Sequence, residues 1–150
     1  MATHLGLGPS LPFAPATGTW AAPFAVYWIF LQSRITYLRV SSGTVLGDRI
    51  DASKGEKDPL YLANRSLVNF SENVPLALSL GLLAELNGGS RKWIGYGLGA
   101  LFALRISHAE FGLMRGGLGV GRILGFYGTQ IVMLGLGVYG GLLVKENGGF

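Results

Sequence analysis

The sequence predicts an all-α membrane protein, a bundle of four transmembrane helices running up and down. Three observations predict it. Only 13% of the residues are charged while 49% are hydrophobic, whereas a soluble domain averages about 25% charged. Long apolar stretches alternate with short polar or glycine-bearing connections. Residues 123–144 contain no charge in 22 positions, and about 20 apolar residues cross a bilayer. The 25 glycines follow no collagen-like period and lie among Leu, Val, Ala and Phe, which suits closely packed membrane helices. A chain of 150 residues makes one domain.

The elements follow in order. Residues 1–17 are rich in Gly, Pro and Ser and read as an irregular tail. Helix 1 covers about 18–40, with Trp20, Tyr27, Trp28 and Tyr37 as interface anchors. Residues 41–59 hold Asp48, Arg49, Asp51, Lys54, Glu56, Lys57 and Asp58 between glycines, an exposed loop with room for a short helix. Helix 2, about 60–86, has a polar first half and an apolar second half, with a kink expected at Pro75. Asn87-Gly88-Gly89-Ser90 turns tightly into helix 3, about 91–113. A glycine-dense turn leads to helix 4, about 121–144. In helix 4 the pairs Gly121/Gly125 and Gly137/Gly141 have the small-xxx-small spacing of close helix contacts.

Charge sets the orientation. The side carrying the 1–2 and 3–4 connections has seven Lys and Arg residues (Arg34, Arg39, Arg49, Lys54, Lys57, Arg115 and Arg122). The other side has three (Arg91, Lys92 and Lys145), so the first side is predicted to face the cytosol. The net charge of +4 is scattered, without the basic run or interleaved aromatics of a nucleic-acid surface. With no cysteine there is no disulfide, no Cys-based zinc site and no cysteine nucleophile. The two histidines, His4 and His108, have no metal-ligand spacing. Gly117-Leu118-Gly119-Val120-Gly121 looks nucleotide-like, but neither a preceding strand nor a following Lys-Ser/Thr supports it. Two matches to the glycosylation acceptor pattern, at Asn64 and Asn69, fall on the cytosolic side or inside the membrane.

The polar residues inside the helices call for a reason. Arg65, Asn69 and Glu72 are spaced i, i+4, i+7 and share one face of helix 2. A charge at mid-membrane costs about 2.5–3.5 kcal/mol on insertion scales. Ligand binding and a structural ion-pair network both answer that cost. Arg105 and His108 share a face of helix 3 at i, i+3, either as a structural pair with Glu72 or Glu110 or as ligand contacts. Arg122 opens helix 4, with Phe126 and Thr129 continuing its face and Gln130 eight residues on. It is either a snorkelling interface arginine or the cation that stabilises a bound anion. Arg34, a turn deeper than Arg39, is a candidate for a ligand carboxylate.

The run Arg65-x-x-x-Asn69-x-x-Glu72-x-x-Pro75, leading into an apolar helix, resembles the MAPEG family, the membrane-associated proteins in eicosanoid and glutathione metabolism that include the microsomal glutathione transferases. Arg105-x-x-His108-Ala109 looks like the family's helix-3 pattern, and Arg122 with Gln130 like the start of helix 4 in its prostaglandin-synthase branch. The resemblance covers residues 20–144. It implies a homotrimer in the lipid bilayer, of the endoplasmic reticulum in a eukaryote or the inner membrane in a bacterium. It implies glutathione as co-substrate between neighbouring subunits toward the cytosol, and a lipophilic electrophile or lipid hydroperoxide as second substrate. By that likeness Arg65, Asn69, Glu72, Arg105 and His108 hold the tripeptide. Arg34 and Gln130 add contacts, and Arg122 stabilises the thiolate. The implied activity is glutathione transferase or peroxidase; the alternative is a non-catalytic lipid-binding or scaffold protein on the same fold. Asn73, Val68 and the run Glu110-Phe111-Gly112 depart from the eicosanoid-synthase pattern and favour the branch found in bacteria and fungi.

Overall fold

The computed structural model describes residues 13–115, 119–146 and 148. Residues 1–12 of the predicted tail with His4, residues 116–118 with the first two positions of the Gly117–Gly121 run, and residues 147, 149 and 150 lie outside the described residues. Among the described residues the chain is helical, without a strand. Helix α1 runs Pro15–Ser42, α2 Pro59–Leu86, α3 Arg91–Ile106 and α4 Val120–Glu146. A 3-10 helix, Ala52–Lys57, lies in the α1–α2 connection. Beyond α3 the chain continues as a π-helical turn, Ser107–Gly112, and a 3-10 turn, Leu113–Arg115. Among the described residues two helices, α2 and α4, are long and apolar enough to cross a membrane.

Successive helices run antiparallel. Ile35, near the end of α1, packs with Leu60 and Ala63 at the start of α2. Gly81 of α2 lies against Ile94 and Leu98 of α3, and Gly97 of α3 lies against Leu136 of α4. The core is a seam at helical spacing: Phe24, Tyr27 and Leu31 from α1, Phe70, Val74, Ala77 and Ala84 from α2, and Ile94, Leu98 and Leu101 from α3. Four aromatic rings knit its centre. Phe24 and Phe102 meet edge to face at 5.3 Å, and Tyr27 and Phe70 at 5.5 Å. The outer surface keeps large apolar side chains, among them Val26, Ile29, Leu76, Trp93, Ile131 and Leu134. Such continuous apolar exposure marks a lipid or protein contact surface.

Several local expectations differ from the structure. Residues 15–17 of the predicted tail are the first turn of α1. Its N-cap, Ala14, offers no side-chain oxygen. Glu85 from the last turn of α2 takes that role, accepting from the Ala16 and Thr17 N–H groups at 2.8 and 2.9 Å and from the Thr17 hydroxyl at 2.9 Å. Tyr27, expected among the interface anchors, is instead buried in the core. Helix 3 ends its α-helical part at Ile106 because α4 presses on the turn that follows. A Cβ on Gly121 would sit 2.5 Å from the Ser107 carbonyl, and one on Gly112 2.6 Å from the Arg122 nitrogen.

Asp58 locks the connection between α1 and α2. It is fully buried. Its Oδ2 accepts from the Ile50 and Asp51 N–H groups (3.1 and 2.8 Å), and its Oδ1 from Leu60 and Tyr61 (2.9 and 3.1 Å). Burial pushes its pKa up, but the backbone donors outweigh burial and hold the carboxyl below its ordinary range. A depressed carboxylate stabilises the folded loop fully above the unfolded value, about 3.9, and that contribution is lost as pH falls through the lower folded value. Amide exchange at Ile50 and Asp51, corrected for its intrinsic rate, is therefore expected to accelerate below about pH 4. Asp58→Ala is expected to accelerate it at neutral pH, at a cost of about 1–2 kcal/mol for the lost N-cap.

Candidate functional site

Three helices enclose a cleft of about 490 Å³. Arg65 and Asn69 enter from α2, one turn apart on one face. His108 and Leu113 come from the π and 3-10 turns after α3, Gly119 from just before α4, and Arg122, Ile123, Phe126 and Tyr127 from its start. Two guanidinium groups, an amide and an imidazole thus face an apolar and aromatic wall, and among the described residues no carboxylate lines the cleft. Such a site attracts an anion at one end and apolar matter at the other.

Close backbone packing positions these groups. A Cβ on Gly125 would lie 2.4 Å from His108 Cβ and 2.7 Å from the Leu104 carbonyl, so only glycine lets α4 reach the end of α3 here. That approach sets His108 Nδ1 3.1 Å from the Arg122 carbonyl oxygen. A carbonyl only accepts, so the imidazole donates through Nδ1 and its orientation is fixed by α4. Asn69 donates to the Arg65 carbonyl at 3.3 Å, and Asn73 donates to the Asn69 carbonyl at 2.7 Å. Arg122 lies in the first turn of α4, at the positive end of the helix dipole.

The predicted residues fall into three places. Arg65, Asn69, His108 and Arg122 line the cleft. Glu72 and Gln130 are exposed on the outer faces of α2 and α4 and do not line it. Among the described residues no ion pair joins Arg65 to Glu72. Arg34 and Arg105 are interior. Arg34 Nη2 donates to Glu110 Oε1 at 2.5 Å, and the Tyr27 hydroxyl donates to the same oxygen at 2.8 Å. Arg105, buried, donates to the Gly125 carbonyl and not to Glu72 or Glu110. Both arginines therefore tie helices together within the described chain, and Arg34 Nη1 and Arg105 Nε are left as buried donors without a partner.

Sequence reasoning passed over Leu113, Ile123 and Tyr127 in the cleft, because apolar and aromatic residues are common throughout this chain. It also left Glu110 without its partners. Tyr27 and Arg34, seven apart on α1, gave the one available hint, since that spacing puts both on one helix face.

A comparison with curated proteins and one with solved structures return no match. The model of the MAPEG family matches residues 17–142. That is most of the chain, and the protein belongs to the MAPEG family.

Proposed function

We propose that this MAPEG-family protein is a membrane-bound glutathione transferase or peroxidase, with glutathione held at the cleft between α2, the end of α3 and the start of α4. The observation that carries the reading is the composition of the cleft: two arginines, a histidine and an asparagine, no carboxylate among the described residues, and an aromatic wall alongside. Glutathione brings two carboxylates, one ammonium and a thiol. Arg65 suits a carboxylate through its planar fork of donors. Glu72, exposed two turns along the same helix, suits the ammonium.

Arg122 is the group for the sulfur. A free thiol has a pKa of about 8.5, and a nearby cation at a helix N-terminus lowers it. The thiol proton leaves to solvent and the thiolate persists at neutral pH. Its sulfur then forms a C–S bond with an electrophile as the leaving group departs. With a lipid hydroperoxide it attacks the terminal oxygen and cleaves the O–O bond, giving a sulfenic acid and, after protonation, the lipid alcohol; a second glutathione then displaces the sulfenic hydroxyl as water and forms glutathione disulfide. The wall of Ile123, Phe126 and Tyr127 offers the lipophilic substrate a path from the bilayer.

The reading includes a homotrimer. Arg65 and Glu72 are exposed on one protomer's α2, and charges facing hydrocarbon cost about 2.5–3.5 kcal/mol each. A neighbouring subunit laid over this face removes that cost and closes the cleft over the tripeptide. All four helices then span the membrane, with the α1–α2 and α3–α4 connections toward the cytosol. The membrane is the endoplasmic reticulum in a eukaryotic cell and the inner membrane in a bacterial one. Turnover of a panel of lipophilic electrophiles and lipid hydroperoxides, with and without glutathione, tests the activity. Glutathione-dependent conversion of at least one class is expected. Tight glutathione binding with no conversion in any class would turn the assignment toward a non-catalytic lipid-binding or scaffold protein on this fold.

A further inference from the structure

The α1–α2 connection is bonded down at both of its ends. Arg39, in the last turn of α1, donates to the Val45 carbonyl at 3.2 Å and to the Gly47 carbonyl at 2.7 Å. Farther along, Asp58 holds the Ile50 and Asp51 N–H groups against the first turn of α2. The Arg49 guanidinium lies 4.4 Å from the centroid of the Tyr61 ring. Residues 45–51 are therefore laid across the ends of α1 and α2 and do not project away from them. Gly43 and Gly47 make the turns, with φ of 68° and 94°, values that favour glycine.

This ordered loop presents Val45 and Leu46 outward, well beyond its third aliphatic residue, Ile50. Val45 is 83% and Leu46 86% exposed. On the last two turns of α1, Tyr37 and Val40 are 71% and 78% exposed, so the apolar surface of the helix continues to the loop. Holding two adjacent large apolar groups in water is unfavourable. The level of the loop supplies the alternative. Among the described residues helix α2 is one of two helices apolar and long enough to cross a membrane. Its 28 residues span about 42 Å, close to the thickness of a bilayer with its head groups, so a loop bonded to its first turn lies at head-group level.

We propose that Val45 and Leu46 form an interfacial anchor, inserted at the head-group boundary of the leaflet on the α1–α2 side. The occupant of this surface is lipid, not a second copy of the chain. Asp48, Arg49, Lys54, Glu56 and Lys57 stay among the head groups and water, as charged neighbours of interfacial apolar groups do.

The chain has no cysteine, so single-cysteine variants give an unambiguous test. Val45→Cys, Leu46→Cys and Ser53→Cys, each spin-labelled in the full chain and reconstituted in phosphatidylcholine vesicles, report on access to oxygen and to a water-soluble nickel chelate. All three positions are exposed, and retention of the unlabelled protein's elution volume checks that folding is kept. The ratio of oxygen to nickel access is expected to be several-fold higher at 45 and 46 than at 53. Nickel access at 46 equal to that at 53 would overturn the proposal. So would shielding from both reagents with spin–spin broadening, which would assign the surface to a second copy.

Discussion

Arg122→Ala is expected to lower glutathione-dependent turnover about 10²–10³-fold, the usual loss when a donor that stabilises a developing or bound anion is removed. Glutathione binding should change far less, because Arg65, Asn69 and His108 remain in the cleft. The loss should fall on kcat, since the guanidinium acts on the sulfur and not on the parts of the tripeptide that anchor it. Arg122→Lys keeps the charge but loses the planar fork and should recover part of the rate. Raising the pH toward the free thiol value of about 8.5 should also recover rate in the alanine variant, because glutathione then ionises unaided. Steady-state kinetics of the three proteins across pH checks this. Equal losses in binding and turnover would make Arg122 an anchoring residue and leave the thiol without its activator.

The second large effect is structural. Gly125→Ala places a Cβ 2.4 Å from His108 Cβ, 2.7 Å from the Leu104 carbonyl and 2.8 Å from His108 Cα. Two of those three neighbours are backbone atoms, which cannot turn aside. Helix α4 must move away from the end of α3. The Arg105 bond to the Gly125 carbonyl and the His108 contact with the Arg122 carbonyl are both lost or stretched. Alanine gains up to about 1 kcal/mol of helix propensity over glycine, but overpacking against backbone costs about 3 kcal/mol, so the variant is expected to be destabilised. Gly141→Ala is the matched control. Nothing lies within 4 Å of its Cβ, so it should be neutral or slightly stabilising. Thermal unfolding of both variants in detergent, followed by circular dichroism, separates them. Equal midpoints would contradict the packing described for α3 and α4.

That pair of glycines also shows how far the sequence can be read. Gly121/Gly125 and Gly137/Gly141 have the same spacing, yet the first pair meets backbone and the second does not. A Cβ on Gly137 finds only Leu80, at 3.9 Å. Spacing names a face of a helix; it does not say which neighbour that face meets. The charge-free run of α4 was legible because length and composition alone mark it, and it emerged as Val120–Glu146. The helix-2 stripe was legible in part: Arg65 and Asn69 share a face and line the cleft, while Glu72, the third member, does not. Arg34 and Arg105 were placed in the correct helices, but their partners, Glu110 and the Gly125 carbonyl, lie 76 and 20 residues away. No local pattern encodes such pairings. The cap that Glu85 gives to α1 spans 68 or 69 residues and was invisible for the same reason. The π-helical turn after Ile106 arises from pressure by α4, a tertiary cause with no mark in the segment itself.

The central claim is that the cleft holds glutathione and ionises its thiol through Arg122. Mixing the purified wild-type protein with glutathione at neutral pH, and recording the ultraviolet difference spectrum, tests it most directly. A thiolate band that saturates with glutathione, and that is absent from Arg122→Ala at the same occupancy, is the predicted result. Saturable glutathione binding without a thiolate band in the wild-type protein would contradict it.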